Sequence, residues 1–178
     1  MIFHSKYAEI DINPRQSGAS YIGSTHASGA CRLGSIPSAP TKKMKKIDYS
    51  FKSYREIFVK LFEKEKERIL AVLGGADVRI EHIGSTAVPG LGGKGIIDII
   101  VAAEKEKLDQ VRAILEELGY EFDADSSMEE RLFFRNELSD DLEGVRRYHL
   151  HLTFFESGDW FKALAFRDHL LKDASAKK

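Results

Sequence analysis

Three groups of residues in the sequence have the chemistry and spacing to bind a phosphorylated ligand or a metal ion. The first is the step Gly84-Ser85-Thr86, which follows a segment of alternating apolar and polar residues at 76–83. Closely spaced backbone N–H groups and two hydroxyls in such a turn can hold phosphate oxygens. A tight turn that only needs small residues explains the same pattern, so the sequence leaves both interpretations open.

The second group centres on Asp98, a single acid in the apolar run "GIIDIIVA" at residues 95–102. An unpaired carboxylate inside a buried strand is costly, so Asp98 needs a cation, a hydrogen-bond donor or access to solvent. It is either a metal- or nucleotide-site acid or a salt-bridged structural residue. Strand alternation places Asp98 and Ile100 on one face, where a second carboxylate at position 100 would have completed a two-acid metal clamp.

The third group is a pair of histidines in "RRYHLHLTFF" at residues 146–155. In a strand, His149 and His151 share one face while the neighbouring apolar residues share the other. Two histidines at this spacing can converge on one ion or one anion. A polar sheet face without a ligand is the alternative interpretation.

The run "GLGGKG" at residues 90–95 contains Lys94 and superficially resembles a phosphate-binding loop. A Walker motif needs a glycine five residues before its Gly-Lys pair and a Ser or Thr after the lysine. Val88 and Gly95 occupy those two places. A P-loop NTPase is therefore not expected.

Apolar periodicity predicts the elements that must position these residues. Helical spacing indicates helices near 54–73 and 106–119 and a closing helix at 159–171 with Asp159 as its N-cap. Strand patterns occur at 76–83, 95–102, 120–122, 131–135 and 146–155, with a turn-rich segment at 138–144. The order α-β-β-α-β-β-β-α predicts an α/β (α+β) fold in which a mixed sheet is covered by helices.

Composition limits the class of partner. The chain has 178 residues and a formal net charge of −1, so no overall positive field would draw it to nucleic acid or an anionic membrane. The single cysteine, Cys31, forms no intramolecular disulfide, and no apolar run approaches the ~18 residues of a membrane span. We expect a cytoplasmic protein with no membrane association and no specific nucleic acid partner.

Residues 1–43 differ from the rest of the chain. They contain three of the four prolines, scattered Ser and Gly, and no sustained apolar period. This composition predicts an N-terminal arm or leader of low structure, followed by one folded domain at 44–178.

At these residues the sequence resembles the GrpB family, a branch of the nucleotidyltransferase superfamily with a fold like the DNA polymerase beta catalytic core. The matching phrases are "EHIGSTAVPGL", the lysine and "IIDI", "YHLHL" and "FRDHL", which together cover roughly 44–171. The superfamily pattern is Gly-Ser after one strand and acid-apolar-acid on the next. Gly84-Ser85 and Asp98 match this pattern, Ile100 stands in place of the second acid, and His149 and His151 are nearest to the third-strand acid.

The resemblance implies a protein that handles a nucleotide or a phosphorylated metabolite as a small ligand. In an enzymatic version, residues Gly84, Ser85 and Thr86 hold the phosphates and Lys94 offsets their charge. Asp98 with His149 and His151 positions one divalent metal ion (Mg, Mn or Zn) for nucleotidyl transfer. Because two-metal transfer needs several carboxylates, the acid set is incomplete. The alternatives are a non-catalytic nucleotide- or CoA-binding module and a small metallohydrolase that uses the Asp-His-His set.

Overall fold

The computed structural model describes residues 50–141, 144–173 and 175–177. The predicted arm at 1–43 lies outside these residues. The elements follow one another in the predicted order, and they are, from the N-terminal side: α1 (Ile57–Leu73), β1 (Val78–Ile83), β2 (Ile97–Ala103), α2 (Leu108–Glu117), β3 (Glu121–Phe122), β4 (Arg131–Asp140), β5 (Gly144–Phe154) and α3 (Gly158–Lys172).

The five strands form one mixed sheet in the spatial order β1-β2-β5-β4-β3. Strands β2 and β5 are parallel, and the other neighbouring pairs are antiparallel. The prediction of a mixed sheet covered by helices is therefore confirmed.

Each face of the sheet packs against helices because the strands carry apolar residues on both faces. On one face, α1 and α2 bury a large apolar cluster that includes Phe58, Ile69, Ile99, Leu115 and Leu150. On the other face, α3 covers a smaller cluster of Ile83, Ile100, Ala102 and Trp160. The predicted polar face of β5 is therefore the α3 face, and α3 covers only part of it.

Two predicted boundaries are wrong. Strand β4 continues to Asp140 and so enters the segment 138–144 that the sequence pattern assigned to a turn, because it pairs with β5 as far as Asp140 opposite Gly144. Helix α3 is capped by Ser157 rather than by Asp159, since the Ser157 hydroxyl accepts a hydrogen bond from the Trp160 N–H at 3.1 Å. Within the described part of the chain, no helix is long and apolar enough to cross a membrane.

Candidate functional site

Asp98 and His149 meet at the junction of β2 and β5, where the parallel register places them directly opposite each other. The Asp98 Oδ1 and His149 Nδ1 atoms are 3.3 Å apart, and about a fifth of each side chain remains exposed. The apolar neighbours of the pair in β2 and β5, including Ile99 and Leu150, are buried on the opposite face of the sheet, against α1. The polar pair is therefore held by a rigid sheet and is still open to a small ligand.

The turn after β1 presses directly against the Asp98 carboxylate. Gly84 has φ 72° and ψ −172°, a backbone conformation that residues other than glycine rarely adopt. A Cβ on Gly84 would overlap the Asp98 Oδ2 atom. Ser85 follows at the start of a short 3-10 turn, Ser85–Ala87, and its hydroxyl lies against Gly93 of the glycine loop, residues 90–95. The structure thus brings Gly84, Ser85 and Asp98 together.

The Thr86 side chain is buried and hydrogen-bonded within the fold, and its predicted role in ligand binding stays a prediction. Its side chain is 2% exposed, and its hydroxyl donates to the Ile96 carbonyl at 2.9 Å. The same oxygen lies 3.0 Å from the His82 Nε2 atom, so it accepts the His82 N–H. Thr86 therefore ties the turn to the beginning of β2, while the neighbouring backbone N–H groups remain the part of the turn suited to phosphate.

His82 lies on the α1 face and has a structural role. Its ring stacks on Phe62 with 4.6 Å between centroids and 8° between planes. Burial lowers the pKa of His82 to about 4, and the positive charge of Arg167 acts in the same direction. His82 is therefore a neutral packing residue near pH 7.

A buried arginine, Arg146, donates a hydrogen bond to the glycine loop, and the sequence analysis did not identify it. Arg146 is 1% exposed, and its guanidinium donates to Gly95 O at 2.9 Å and to Asp140 Oδ2 at 2.7 Å. Strand alternation could have indicated that Arg146 is buried, because it places Arg146 on the same face as the apolar residues Tyr148 and Leu150. Lys94, the predicted cationic residue, is exposed in this loop.

His151 lies two residues beyond His149, and both rings contact Phe133. The distance between ring centroids is 5.1 Å for His151 and 5.0 Å for His149. The His151 Nδ1 atom is buried and has no hydrogen-bond partner within the described residues. Burial lowers the pKa of His151 to about 4, against the opposing effect of Asp98. The ring is therefore neutral near pH 7, and the side chain as a whole is partly exposed.

The fit of these residues to a metal ion is partial. Two ligands that bind one tetrahedral ion at about 2.0 to 2.2 Å lie roughly 3.4 Å from each other. The 3.3 Å separation of Asp98 and His149 matches this geometry. Among residues 50–141, 144–173 and 175–177, however, no three His, Cys, Asp or Glu side chains are arranged to hold a metal. The three-ligand site that includes His151 stays a prediction.

Ile100, which stands where the family resemblance led us to expect a second acid, belongs to the core. Ile100 is 1% exposed and packs with Ile83 and Trp160 under α3. Its cross-strand neighbour Glu81 accepts a hydrogen bond from Arg167 at 2.7 Å. Arg167, in the phrase "FRDHL", also donates to the His82 carbonyl at 3.1 Å and so fixes α3 to the end of β1, close to Gly84.

Comparisons with known proteins agree with this architecture. The chain is 32% identical over 123 residues to the glutamate-rich protein GrpB of Alkalihalophilus pseudofirmus, covering 66% of this chain and 68% of that protein. It is 31% identical over 120 residues to the UPF0157 protein YqkA of Bacillus subtilis, covering 66% of this chain and only 33% of that protein. The matched region thus spans 68% of the first relative's length and 33% of the second's.

Among solved structures, the crystal structure of the conserved protein GrpB from Enterococcus faecalis matches with a TM-score of 0.59 and 30% identity. The match covers 71% of this chain and 74% of that one. The Cid1 poly(U) polymerase matches with a TM-score of 0.47 and 14% identity over 70% of this chain and 41% of its own, a likeness too weak to indicate an activity. The family model described as GrpB protein matches residues 49–178. The chain belongs to the GrpB family.

Proposed function

We propose that the chain binds a nucleotide or another phosphorylated small molecule between the Gly84-Ser85 turn and the Asp98–His149 pair. The contact between Gly84 and the Asp98 carboxylate carries this proposal. A turn that only reverses the chain has no need to place a glycine of positive φ against a partly exposed acid. Closely spaced backbone N–H groups of a turn such as Ser85–Ala87 can hold phosphate oxygens.

The charge of Asp98 sets a condition on this ligand. A phosphate placed beside a carboxylate is repelled unless a cation lies between them. Asp98 and His149 have the spacing of two ligands on one ion, and a divalent ion held there would neutralise phosphate charge. Because one of the two ligands is an imidazole, the site favours Mn²⁺ or Zn²⁺ over Mg²⁺.

Binding is better supported than nucleotidyl transfer. Two-metal transfer uses several carboxylates to hold both ions. Ile100 occupies the second acid position in the apolar core, and Glu81 on the adjacent strand is engaged by Arg167. We therefore propose a binding module with weak or absent Mg²⁺-dependent transfer. The metallohydrolase alternative would require His151 as a third ligand, and among the residues that the structure describes no three His, Cys, Asp or Glu side chains are arranged to hold a metal.

Thermal-shift and calorimetric titrations with ATP, CoA and pyrophosphate, each with Mg²⁺, Mn²⁺ or Zn²⁺, test this proposal. A ligand at about 100 times its Kd should raise the free energy of unfolding by about 2.7 kcal/mol. Ser85→Ala and Asp98→Asn should reduce the effect, whereas Ser139→Ala, at an exposed serine of β4, should not. Stabilisation by none of these compounds, or an equal effect in the wild type and Ser85→Ala, would contradict the proposal.

A further inference from the structure

The segment that precedes α1 is joined to the glycine loop by a short backbone bridge. The Lys52 N–H donates to the Gly93 carbonyl at 2.7 Å, and the Gly93 N–H donates to the Lys52 carbonyl at 2.9 Å. Gly93 in turn lies against the Ser85 hydroxyl. Three separate segments of the chain therefore meet at the proposed phosphate-binding turn.

The bridge determines the side to which each residue projects. Directly opposite residues of an antiparallel pair project to the same side, and successive residues project to opposite sides. Lys52 therefore projects to the side of Gly93 on which Ser85 lies. Phe51 projects to the other side, where the end of its ring occupies the space that a side chain on Gly92 would need.

The glycines of this loop make room for neighbouring side chains. A Cβ on Gly92 would overlap Phe51, and one on Gly93 would overlap Ser85 Oγ. A Cβ on Gly95 would lie 2.9 Å from Lys52 Cδ, so the aliphatic stem of Lys52 runs along this glycine. The glycine run that fails the Walker pattern thus has a physical explanation in the packing of residues 51 and 52 and of Ser85.

The Lys52 ammonium group can reach a ligand at Ser85. Directly opposite residues have Cβ positions about 4.5 to 5.5 Å apart, and the Ser85 hydroxyl is in contact with the Cβ position of Gly93. The flexible four-carbon stem of lysine carries its ammonium group about 5 Å beyond Cβ. A phosphate oxygen bound by the Ser85 hydroxyl is within that reach.

We propose that Lys52 is a phosphate-binding residue of this cleft and supplies the positive charge that the sequence pattern assigned to Lys94. This inference rests on the proposed function, because it adds a residue to the same site. The ligand class that Lys52 recognises is an anionic phosphate chain rather than a base or sugar. Lys52→Gln should therefore weaken the binding of ATP and the binding of inorganic pyrophosphate by similar factors.

Calorimetric titration of the full chain with ATP and with pyrophosphate at low and high NaCl tests this inference. Loss of one charge-assisted hydrogen bond corresponds to a roughly 10- to 100-fold weaker Kd for Lys52→Gln. The dependence of Kd on salt should become shallower, because one fewer charge contacts the ligand. Lys52→Arg should retain most of the affinity. Lys60→Gln, which removes the same charge from an exposed position of α1, should leave Kd and its salt dependence unchanged.

The outcomes separate this inference from the proposed function. If the wild type binds none of ATP, CoA and pyrophosphate, both fail. If the wild type binds and Ser85→Ala weakens binding while Lys52→Gln does not, the Lys52 assignment alone is overturned. The Lys52 assignment is also overturned if Lys94→Gln loses affinity for the ligand and Lys52→Gln does not. Weaker binding of Lys52→Gln at every salt concentration, with a lower Tm, would assign Lys52 to the backbone bridge only.

Discussion

Replacing His82 by phenylalanine is expected to change how the stability of the chain depends on pH. Burial, assisted by the charge of Arg167, holds the pKa of His82 at about 4 in the folded chain, against 6.5 for an ordinary histidine. The unfolded chain therefore binds more protons than the folded chain between pH 6.5 and pH 4. The contribution of neutral His82 to stability is fully present above pH 6.5 and falls by about 1.4 kcal/mol per pH unit through this window.

The size of the effect follows from the two pKa values. At pH 5 the wild type has lost roughly 2 kcal/mol through this histidine relative to pH 7. Phenylalanine can keep the stacking contact with Phe62 but loses the 3.0 Å hydrogen bond to Thr86, which costs about 1 kcal/mol. The variant should therefore be less stable than the wild type at pH 7 and more stable at pH 5.

Urea unfolding followed by circular dichroism at pH 7, 6 and 5 measures both free energies of unfolding. The two curves of stability against pH should cross within this range. Leu115→Val, a core substitution in α2, serves as the control, because it keeps the titrating ring and its stacking contact with Phe62. That variant should lose stability at every pH with the slope of the wild type. Parallel curves for the wild type and His82→Phe would refute the assignment of His82 as a buried neutral residue.

Three further substitutions test the packing around the site by urea unfolding. Gly84→Ala should destabilise the fold by at least about 1 kcal/mol more than Gly90→Ala, since both have positive φ but only a Cβ on Gly84 meets Asp98; equal losses would contradict this contact. Arg146→Met should cost about 3 to 5 kcal/mol by breaking the buried ion pair with Asp140, and a smaller loss in the double variant with Asp140→Leu would support that cause. Ile100→Asp should cost more than about 4 kcal/mol without improving Mg²⁺ binding, because it places a carboxylate in the apolar cluster under α3; a stable variant that binds Mg²⁺ tightly would overturn this expectation.

The sequence predicted the sheet and the helices because these depend on the period of apolar residues. The "IIDI" and "YHLHL" strands alternate so regularly that the face of each polar side chain follows directly. The family resemblance then suggested which strands are neighbours. The direction of the Thr86 hydroxyl could not be read in this way, because it depends on the position of the Ile96 carbonyl ten residues later.

Buried charged residues were the part that the sequence concealed. Glu65 is 3% exposed in the middle of α1, where a charged residue in an amphipathic pattern normally faces solvent. It accepts hydrogen bonds from Arg68 at 2.6 and 2.8 Å and from the Tyr120 hydroxyl at 2.8 Å. Because Tyr120 is 55 residues away in the chain, no local pattern announces this network. Arg146 is a similar case, since its partner Asp140 lay in a segment interpreted as a turn.

The parallel pairing of β2 with β5 has a consequence for the order of folding. Strands β4 and β5 are consecutive and can form a hairpin locally, whereas β2 must wait until all of residues 104–143 have been placed. Contacts between residues so far apart in sequence form slowly. Asp98 is on β2 and His149 is on β5, so the cleft between them exists only after these two strands have paired. A refolding intermediate that contains the helices and the β4–β5 hairpin would lack the cleft. We expect ligand binding to be recovered only in the last kinetic phase of refolding, after most of the helical signal has returned.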